Sequence, residues 1–272
     1  MSDPVAAALR AATARLAAAG IPDPQGDATR LLTHAANGAR PPADLPPGTL
    51  GHFAAAIERR AAREPVSHIT GRRAFWDHEF RVTPDVLDPR PDTETLVEAA
   101  LAGPFDRVLD LGTGSGCILL SLLAARPDAT GTGTDISEAA LGVARDNAER
   151  LGVTDRVTLR RADWLDGIDG PFDLIVSNPP YIAEAEMADL SPEVLREPRI
   201  ALTPGGDGLD PYRIIACDAP ARLAPFGRLM VEIGPTQGAA VAALWRAAGL
   251  GDVEIRSDLD GRDRVVIGGN PR

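Results

Sequence analysis

Lysine is absent from all 272 residues, so arginine supplies every basic side chain other than histidine. That absence removes whole classes of chemistry. A P-loop NTPase needs its lysine on the phosphates, and a Schiff-base enzyme needs an amine. Cysteine is nearly absent as well. Cys117 and Cys217 are too few for a disulfide framework or a metal cluster, and their apolar helical contexts suit buried free thiols. No metal site is expected. Long apolar runs are also missing: the longest uncharged stretch, 111–125, contains three glycines and is too short to span a bilayer. Met1-Ser2-Asp3-Pro4 carries no basic segment leading into an apolar one, so no signal peptide is expected and the cytoplasm is the expected compartment. The four histidines, His34, His52, His68 and His78, all precede the region of alternating strands and helices, and no Ser-His-Asp set is in prospect.

Acidic residues are abundant but unevenly placed. Residues 1–75 hold nine Arg against six acids, whereas 76–272 hold nineteen Arg against thirty-three, and the whole chain carries −11. Such an acidic body argues against tight nonspecific duplex binding. It leaves room for a protein partner, or for RNA met through the N-terminal part.

Apolar residues at helical spacing (Val5, Leu9, Ala12, Leu16) predict a first helix stopped by Gly20. Further helices are expected near 27–36 and 50–63, with Pro41-Pro42 and Pro46-Pro47 bracketing the loop between them. Phe75, Trp76, Phe80, Val82 and Val86 are spaced like short strands, which suggests a hairpin joining two domains. A helix through Leu96, Val97 and Leu101 follows. From Arg107 onward strands and helices alternate, with strands expected at 108–111, 129–134, 157–159, 174–177, 229–233, 253–255 and 265–267. Helices are expected near 212–223 and 236–248. The expected fold is α/β: a doubly wound, mostly parallel, seven-stranded sheet with a small N-terminal helical domain. The expected boundaries are 1–66 for the helical domain, 67–95 for a hairpin linker and 96–272 for the sheet domain.

Three segments carry candidate chemistry. Gly112-Thr113-Gly114-Ser115-Gly116 follows an apolar strand and opens a helix, the usual place for a nucleotide-like ligand. The dinucleotide pattern G-x-G-x-x-G is broken, because the third glycine comes one position early and Cys117 takes its place. This disfavours a nicotinamide dehydrogenase and suits a ligand without phosphates, such as S-adenosylmethionine. Asp135 ends the next strand, where a carboxylate accepts from both ribose hydroxyls, and Ser137 is able to cap the following helix and leave Asp135 free. After the third strand, Trp164 is placed to stack on adenine and Asp163 to accept from its exocyclic amine.

The third segment is Asn178-Pro179-Pro180-Tyr181, at the carboxyl end of a buried strand. The prolines stop pairing and fix φ. An NH2 group offers two donors, and the Asn178 side-chain oxygen and Pro179 carbonyl are able to accept both. That arrangement turns the nitrogen toward a sulfonium methyl. Tyr181 is placed to stack on the planar group and favour its growing positive charge. Alignment and preorganised acceptors are the main aids to such a weak nucleophile. By itself the motif serves an amide and an adenine amine equally.

These residues resemble the bacterial PrmC/HemK family, the glutamine N5-methyltransferases of peptide chain release factors. The resemblance extends to Pro89-Arg90-Pro91-Asp92-Thr93-Glu94, Glu197-Pro198, Gly205-Gly206-Asp207-Gly208-Leu209, Glu232-Ile233-Gly234 with Gln237, and Asp263-Arg264-Val265. It implies that Gly112 to Gly116, Asp135, Trp164 and Asn178 contact S-adenosyl-L-methionine. It implies that Asn178 to Tyr181 receive the glutamine of a Gly-Gly-Gln loop, with Arg90, Asp92, Thr93 and Glu94 near both ligands. It also implies class-I release factors as protein substrates, docked with help from the helical domain. A monomer without stable nucleic-acid binding is expected. Asp88 departs from the pattern, which expects an aliphatic residue there, and its effect is expected on hairpin packing. The rival readings are an adenine-N6 methyltransferase of DNA or RNA, disfavoured by the acidic body, and a non-catalytic binding module, disfavoured by the intact glycines, Asp135 and Asn178.

Overall fold

A computed structural model describes residues 4–38 and 45–271. The chain divides into two compact units, Met1–Arg72 with Ser191–Arg196, and Arg73–Leu190 with Glu197–Arg272. The expected 67–95 segment is therefore shared between them, parting at Arg72. The Pro41-Pro42 pair and Met1 to Asp3 lie outside the described residues. The helical unit contains α1 (Pro4–Ala18), α2 (Pro24–Ala35), α3 (Thr49–Ala61) and the short α4 (Val66–Thr70). The sheet unit follows with the hairpin β1 (Arg72–Phe75) and β2 (His78–Arg81), then α5 (Glu94–Leu101), β3 (Arg107–Leu111), α6 (Cys117–Ala125), β4 (Thr130–Asp135) and α7 (Glu138–Leu151). It continues through β5 (Val157–Arg161), β6 (Phe172–Ser177), α8 (Arg199–Leu202), α9 (Asp210–Asp218), β7 (Leu223–Glu232), α10 (Gly238–Ala247), β8 (Gly251–Ser257) and β9 (Asp263–Gly269). No helix among the described residues is long and apolar enough to cross a membrane.

The seven strands run in the order β5-β4-β3-β6-β7-β9-β8. The first five are parallel, and β9 is antiparallel to both β7 and β8. Both faces are covered, which is why the central strands read as continuous apolar runs. Alternate residues serve opposite faces. Val108, Leu174 and Val176 pack with Leu96, Leu119 and Leu123 of α5 and α6. Leu109, Ile175 and Val231 pack with Tyr212, Val241 and Trp245 of α9 and α10. Chain order reverses at β3, since β4 and β5 lie to one side and β6 and β7 to the other. The carboxyl ends of β3 and β6 therefore bound a crevice, the customary ligand position in an open α/β sheet.

Several expectations need correction. The segment after β2 is not a strand: Val82 and Val86 pack with Ala140 and Val143 of α7. The helix expected to reach 223 stops at Asp218, because Pro220 has no N–H to continue the ladder, and β7 then starts at Leu223. Cys217 is exposed, whereas Cys117 is buried. The hairpin belongs to the sheet unit. Phe75 and Phe80 enter its core, and Asn147 of α7 accepts from Arg81 N at 2.7 Å and donates to Arg81 O at 3.0 Å.

In the helical unit Leu16, Leu31, Leu32, Phe53 and Ile57 form the core. Asp23 caps α2 by accepting from Gly26 N. A charge network crosses this core. Arg60 donates to Asp27 at 2.7 Å and to Glu193 at 2.9 Å, and the Arg60 and Asp27 side chains are each only 7% exposed. Glu193 comes from the 191–196 segment, which belongs to this unit although it lies far along the chain. Removing one partner strands buried charge. Arg60→Ala is expected to destabilise the helical unit by about 3–5 kcal/mol, read by hydrogen exchange of its amides.

Candidate functional site

The crevice starts with the turn after β3. Gly112 and Gly114 have φ of +67° and +55°, and a Cβ at either position would meet nothing within 4 Å. These glycines face open space, and the backbone comes to it bare. Gly116 differs: a Cβ there would lie 2.8 Å from Leu120 and 3.3 Å from Ala144. Its role is close packing at the start of α6. The space ahead of the turn is a cavity of about 360 Å³. Of the residues expected at the site, Gly112, Thr113, Gly114, Ser115, Asp135, Asp163, Trp164, Asn178, Pro180, Arg90 and Thr93 line it. Gly116, Pro179, Tyr181, Asp92 and Glu94 are not among its lining residues.

Asp135 is not free, contrary to expectation. Ser137 does cap α7, accepting from Ala140 N at 3.2 Å. Asp135 nevertheless accepts from Gly114 N and from Ser137 N, each at 2.9 Å. It ties the glycine turn to the end of β4. Each carboxylate oxygen has more than one acceptor site, so hydroxyls of a bound ligand remain within its capacity. Burial raises its pKa above the ordinary carboxylate value, against the pull of those backbone donors. Trp164 sits at φ +51°, an uncommon position for a bulky residue, with its carbonyl accepting from Thr134 Oγ1 at 3.2 Å. Its ring is half-buried at the cavity wall.

The turn after β6 is held from outside. Ser177 Oγ donates to Leu111 O at 2.7 Å, which locks the ends of β6 and β3 together. Asn178 Nδ2 donates to Thr93 Oγ1 at 3.1 Å. The Tyr181 carbonyl accepts from Gln237 Nε2 at 2.9 Å, and Gln237 Oε1 accepts from Gly234 N at 3.0 Å. Gly208, at φ +77°, lies so close that a Cβ would come within 2.3 Å of the Tyr181 carbonyl oxygen. This accounts for the second half of Gly-Gly-Asp-Gly-Leu.

Three expected residues have other partners, and a fourth is buried. Tyr181 packs against the α9/α10 core, and its hydroxyl donates to Glu232 at 3.4 Å. Burial and the Glu232 charge both raise its pKa. Glu94 accepts from the Trp76 backbone N–H at 2.9 Å and holds the hairpin. Asp92 pairs with Arg264 at 3.2 Å. Pro179 is buried beneath the turn.

Sequence reasoning assigned no role to the buried carboxylates around the crevice. Burial raises the Asp110 pKa to about 7, although Thr113 Oγ1 donates to it at 2.6 Å, and its Oδ1 has no partner among the described residues. Burial likewise raises Glu232 to about 7. Glu197 is raised by burial, opposed by Arg90, to which it is bonded; it also accepts from Asp88 N at 3.0 Å. The Asp88 carboxylate lies 3.7 Å from Arg73 and 4.0 Å from Arg90. Asp88 therefore serves electrostatics as well as packing, and helps hold a cavity-lining arginine. For Asp110 and Glu232 the one sequence signal was that they stand next to apolar strand residues, where a charge is costly.

The residues fit S-adenosylmethionine. Two bare glycines give its chain a close approach, Asp135 suits a diol, and Trp164 offers a flat apolar wall. Apolar Ile118, Ile136 and Ala162 complete that side of the cavity. Asp135→Ala is expected to weaken S-adenosylmethionine binding about 10–100-fold, measured by calorimetry; unchanged affinity contradicts the assignment. A second outcome concerns stability. The Asp110 pKa is raised on folding, so its stabilisation is complete below its ordinary value of 3.8 and is lost as pH rises through about 7. Melting temperature should fall from about pH 5 to about pH 8, and Asp110→Asn, which removes the charge, should melt higher than wild type at the upper end.

Residues 87–209 match the methyltransferase small domain family, and residues 7–71 match the PrmC N-terminal domain. The release factor glutamine methyltransferase of Cereibacter sphaeroides is 59% identical over 95% of this chain and 96% of its own length. The protein of that name from Rhodospirillum rubrum is 51% identical over 93% of this chain and 81% of its own. Among solved structures, a methyltransferase from Pyrococcus furiosus shares the fold, with a TM-score of 0.57 at 17% identity over 80% of this chain and 98% of that one. With relatives this similar over nearly its whole length, the chain belongs to the release factor glutamine methyltransferase family.

Proposed function

We propose that this enzyme transfers a methyl group from S-adenosyl-L-methionine to the side-chain amide nitrogen of the glutamine in the Gly-Gly-Gln loop of class-I release factors. One observation carries the site assignment. Asn178 Nδ2 is committed to Thr93, so the oxygen of the same amide is left to accept from an incoming NH2 group.

When bound, S-adenosylmethionine supplies an electrophilic sulfonium methyl. The chain's own residues do the rest. Gly112 and Gly114 bring bare backbone to the cofactor, Asp135 accepts from its ribose, and Trp164 covers its adenine. Asn178 Oδ1 and the Pro179 carbonyl each accept one N–H of the glutamine amide. That pair fixes the amide plane and aims its nitrogen face at the methyl. Two acceptors also favour the positive charge that grows on nitrogen as the new bond forms. The surplus proton leaves afterwards, so no strong base is needed before attack. Arg90, held by Glu197 and Asp88, stands at the cavity wall as its cationic group. Tyr181 works behind the turn, where its carbonyl and hydroxyl are both engaged.

Residues 1–66 would help dock the release factor, in keeping with the net positive charge of the first 75 residues. The acidic remainder fits a protein substrate better than a nucleic acid. On this reading the enzyme works in the cytoplasm as a monomer.

Incubation with release factor, DNA and labelled S-adenosylmethionine together, followed by mass spectrometry, should place one methyl group on the Gln of the release factor. An unmodified Gln beside methylated DNA would overturn the proposal. Asn178→Ala should lose at least about 100-fold in kcat while its fold survives.

A further inference from the structure

The proposed reaction needs Asn178 to present its oxygen, and not its NH2 group, to the substrate. An asparagine amide is nearly symmetric in shape, and a 180° flip exchanges donor for acceptor. Something must set the direction. Thr93 accepts from Asn178 Nδ2 at 3.1 Å. A hydroxyl has one proton, so its bonding depends on where that proton goes. If Thr93 gave its proton to Asn178, the amide would bind through its oxygen and offer NH2 to a substrate NH2, two donors facing one another.

Glu232 stands where it can prevent this. It ends β7 fully buried, and the Thr93 side chain faces its carboxylate. Its Oε2 has no hydrogen-bond partner among the described residues. The backbone carbonyl of Glu232 accepts from Tyr212 at 2.9 Å, and Oε1 accepts from Tyr181 at 3.4 Å, so the residue is held from two sides. An ionised carboxylate is acceptor only. A buried carboxylate oxygen without a partner thus stands beside a hydroxyl whose proton has no other acceptor among the described residues.

We propose that Glu232 is a positioning residue: its carboxylate accepts a hydrogen bond from the Thr93 hydroxyl, leaves the Thr93 oxygen to accept from Asn178 Nδ2, and so fixes Asn178 with its oxygen toward the glutamine amide. The inference rests on the acceptor role of Asn178. It also explains why a carboxylate is kept at a buried strand end, where it costs stability. Protonation reverses the logic, because a neutral carboxylic acid is able to donate to Thr93 and free the hydroxyl proton for Asn178. Burial holds Glu232 near 7; the other ionisable groups facing it are Arg264, Asp92, Tyr181, Tyr212 and Cys117. The Glu232 carboxylate is ionised above that pH, so turnover should rise as pH increases through it.

The test compares single and double variants on a release factor substrate. Thr93→Val keeps shape without the hydroxyl and should lower kcat about 10–100-fold, and Thr93→Ser should recover most of that loss. Glu232→Gln should also lower kcat and remove the rise near neutral pH. The double variant Thr93→Val/Glu232→Gln should be no worse than Thr93→Val alone, since the two residues act through one bond. Calorimetric affinity for S-adenosylmethionine should stay at the wild-type value throughout, which reports an intact fold without reference to turnover. Wild-type kcat and pH profile in Glu232→Gln, or multiplying losses in the double variant, overturn the relay. Asn178→Ala separates the two failures. If it is inactive while the Thr93 and Glu232 losses multiply, only the relay fails; if it is fully active, the acceptor assignment fails with it.

Discussion

Pro179 and Pro180 contribute no backbone N–H, and the rest of the crevice follows from that deficit. A turn with two missing donors cannot be held by its own hydrogen bonds. It is held by neighbours that reach its carbonyls and its one amide side chain. Gln237 takes the Tyr181 carbonyl, Gly208 lets the 205–209 loop close against that same carbonyl, and Thr93 takes Asn178. Ile182 N then donates to Leu202 O at 3.0 Å as the chain leaves. Segments far apart in sequence thus exist in their particular form because of one dipeptide. The turn's carbonyls have no backbone donor from either proline beside them.

A second consequence is electrostatic. Such a site needs acceptors inside a dry wall, and the protein supplies them as carboxylates at strand ends. Asp110 at the end of β3, Asp135 at the end of β4 and Glu232 at the end of β7 all have pKa values raised, chiefly by burial. Among the described residues no arginine is bonded directly to any of these carboxylates, unlike Glu197 with Arg90. Full ion pairing would satisfy the charge and also consume the acceptor. The arginine near Glu232, Arg264, is instead bonded to Asp258 at 3.0 Å and Asp92 at 3.2 Å. It biases the potential without closing the carboxylate off.

The sheet was legible because its signals are local. Apolar runs such as 108–111 and 174–177, separated by helical patterns and glycine turns, announce a parallel sheet whatever the tertiary detail. The end of α9 was misjudged by reading through Pro220, and Val82 and Val86 alternated like a strand although they pack a loop against α7. At the site, the glycines, Asn178 and Trp164 line the cavity at the strand ends where the sequence placed them. Direction of side-chain bonding was not legible. Tyr181, Asp92 and Glu94 stand in the right segments yet bond to Glu232, Arg264 and the Trp76 N–H. Their partners lie tens of residues away, and no spacing rule reports which way a side chain turns once packed. The buried Arg60–Asp27–Glu193 network was invisible for the same reason.

An amide and an adenine amine present the same two N–H donors to Asn-Pro-Pro-Tyr, so the motif cannot choose between them. The choice must lie in what the rest of the molecule admits to the crevice. Among the described residues its cavity wall carries one cation, Arg90, bonded to Glu197 and 4.0 Å from Asp88, and not a track of them. The chain bearing it is strongly acidic beyond residue 75. A phosphate backbone meeting that surface would lose the counterion-release gain that drives nucleic-acid binding. A short loop of small residues carrying one glutamine brings no such charge and needs only a narrow entry. The motif is compatible with both acceptors, and the acidic charge around it is unfavourable to a phosphate backbone.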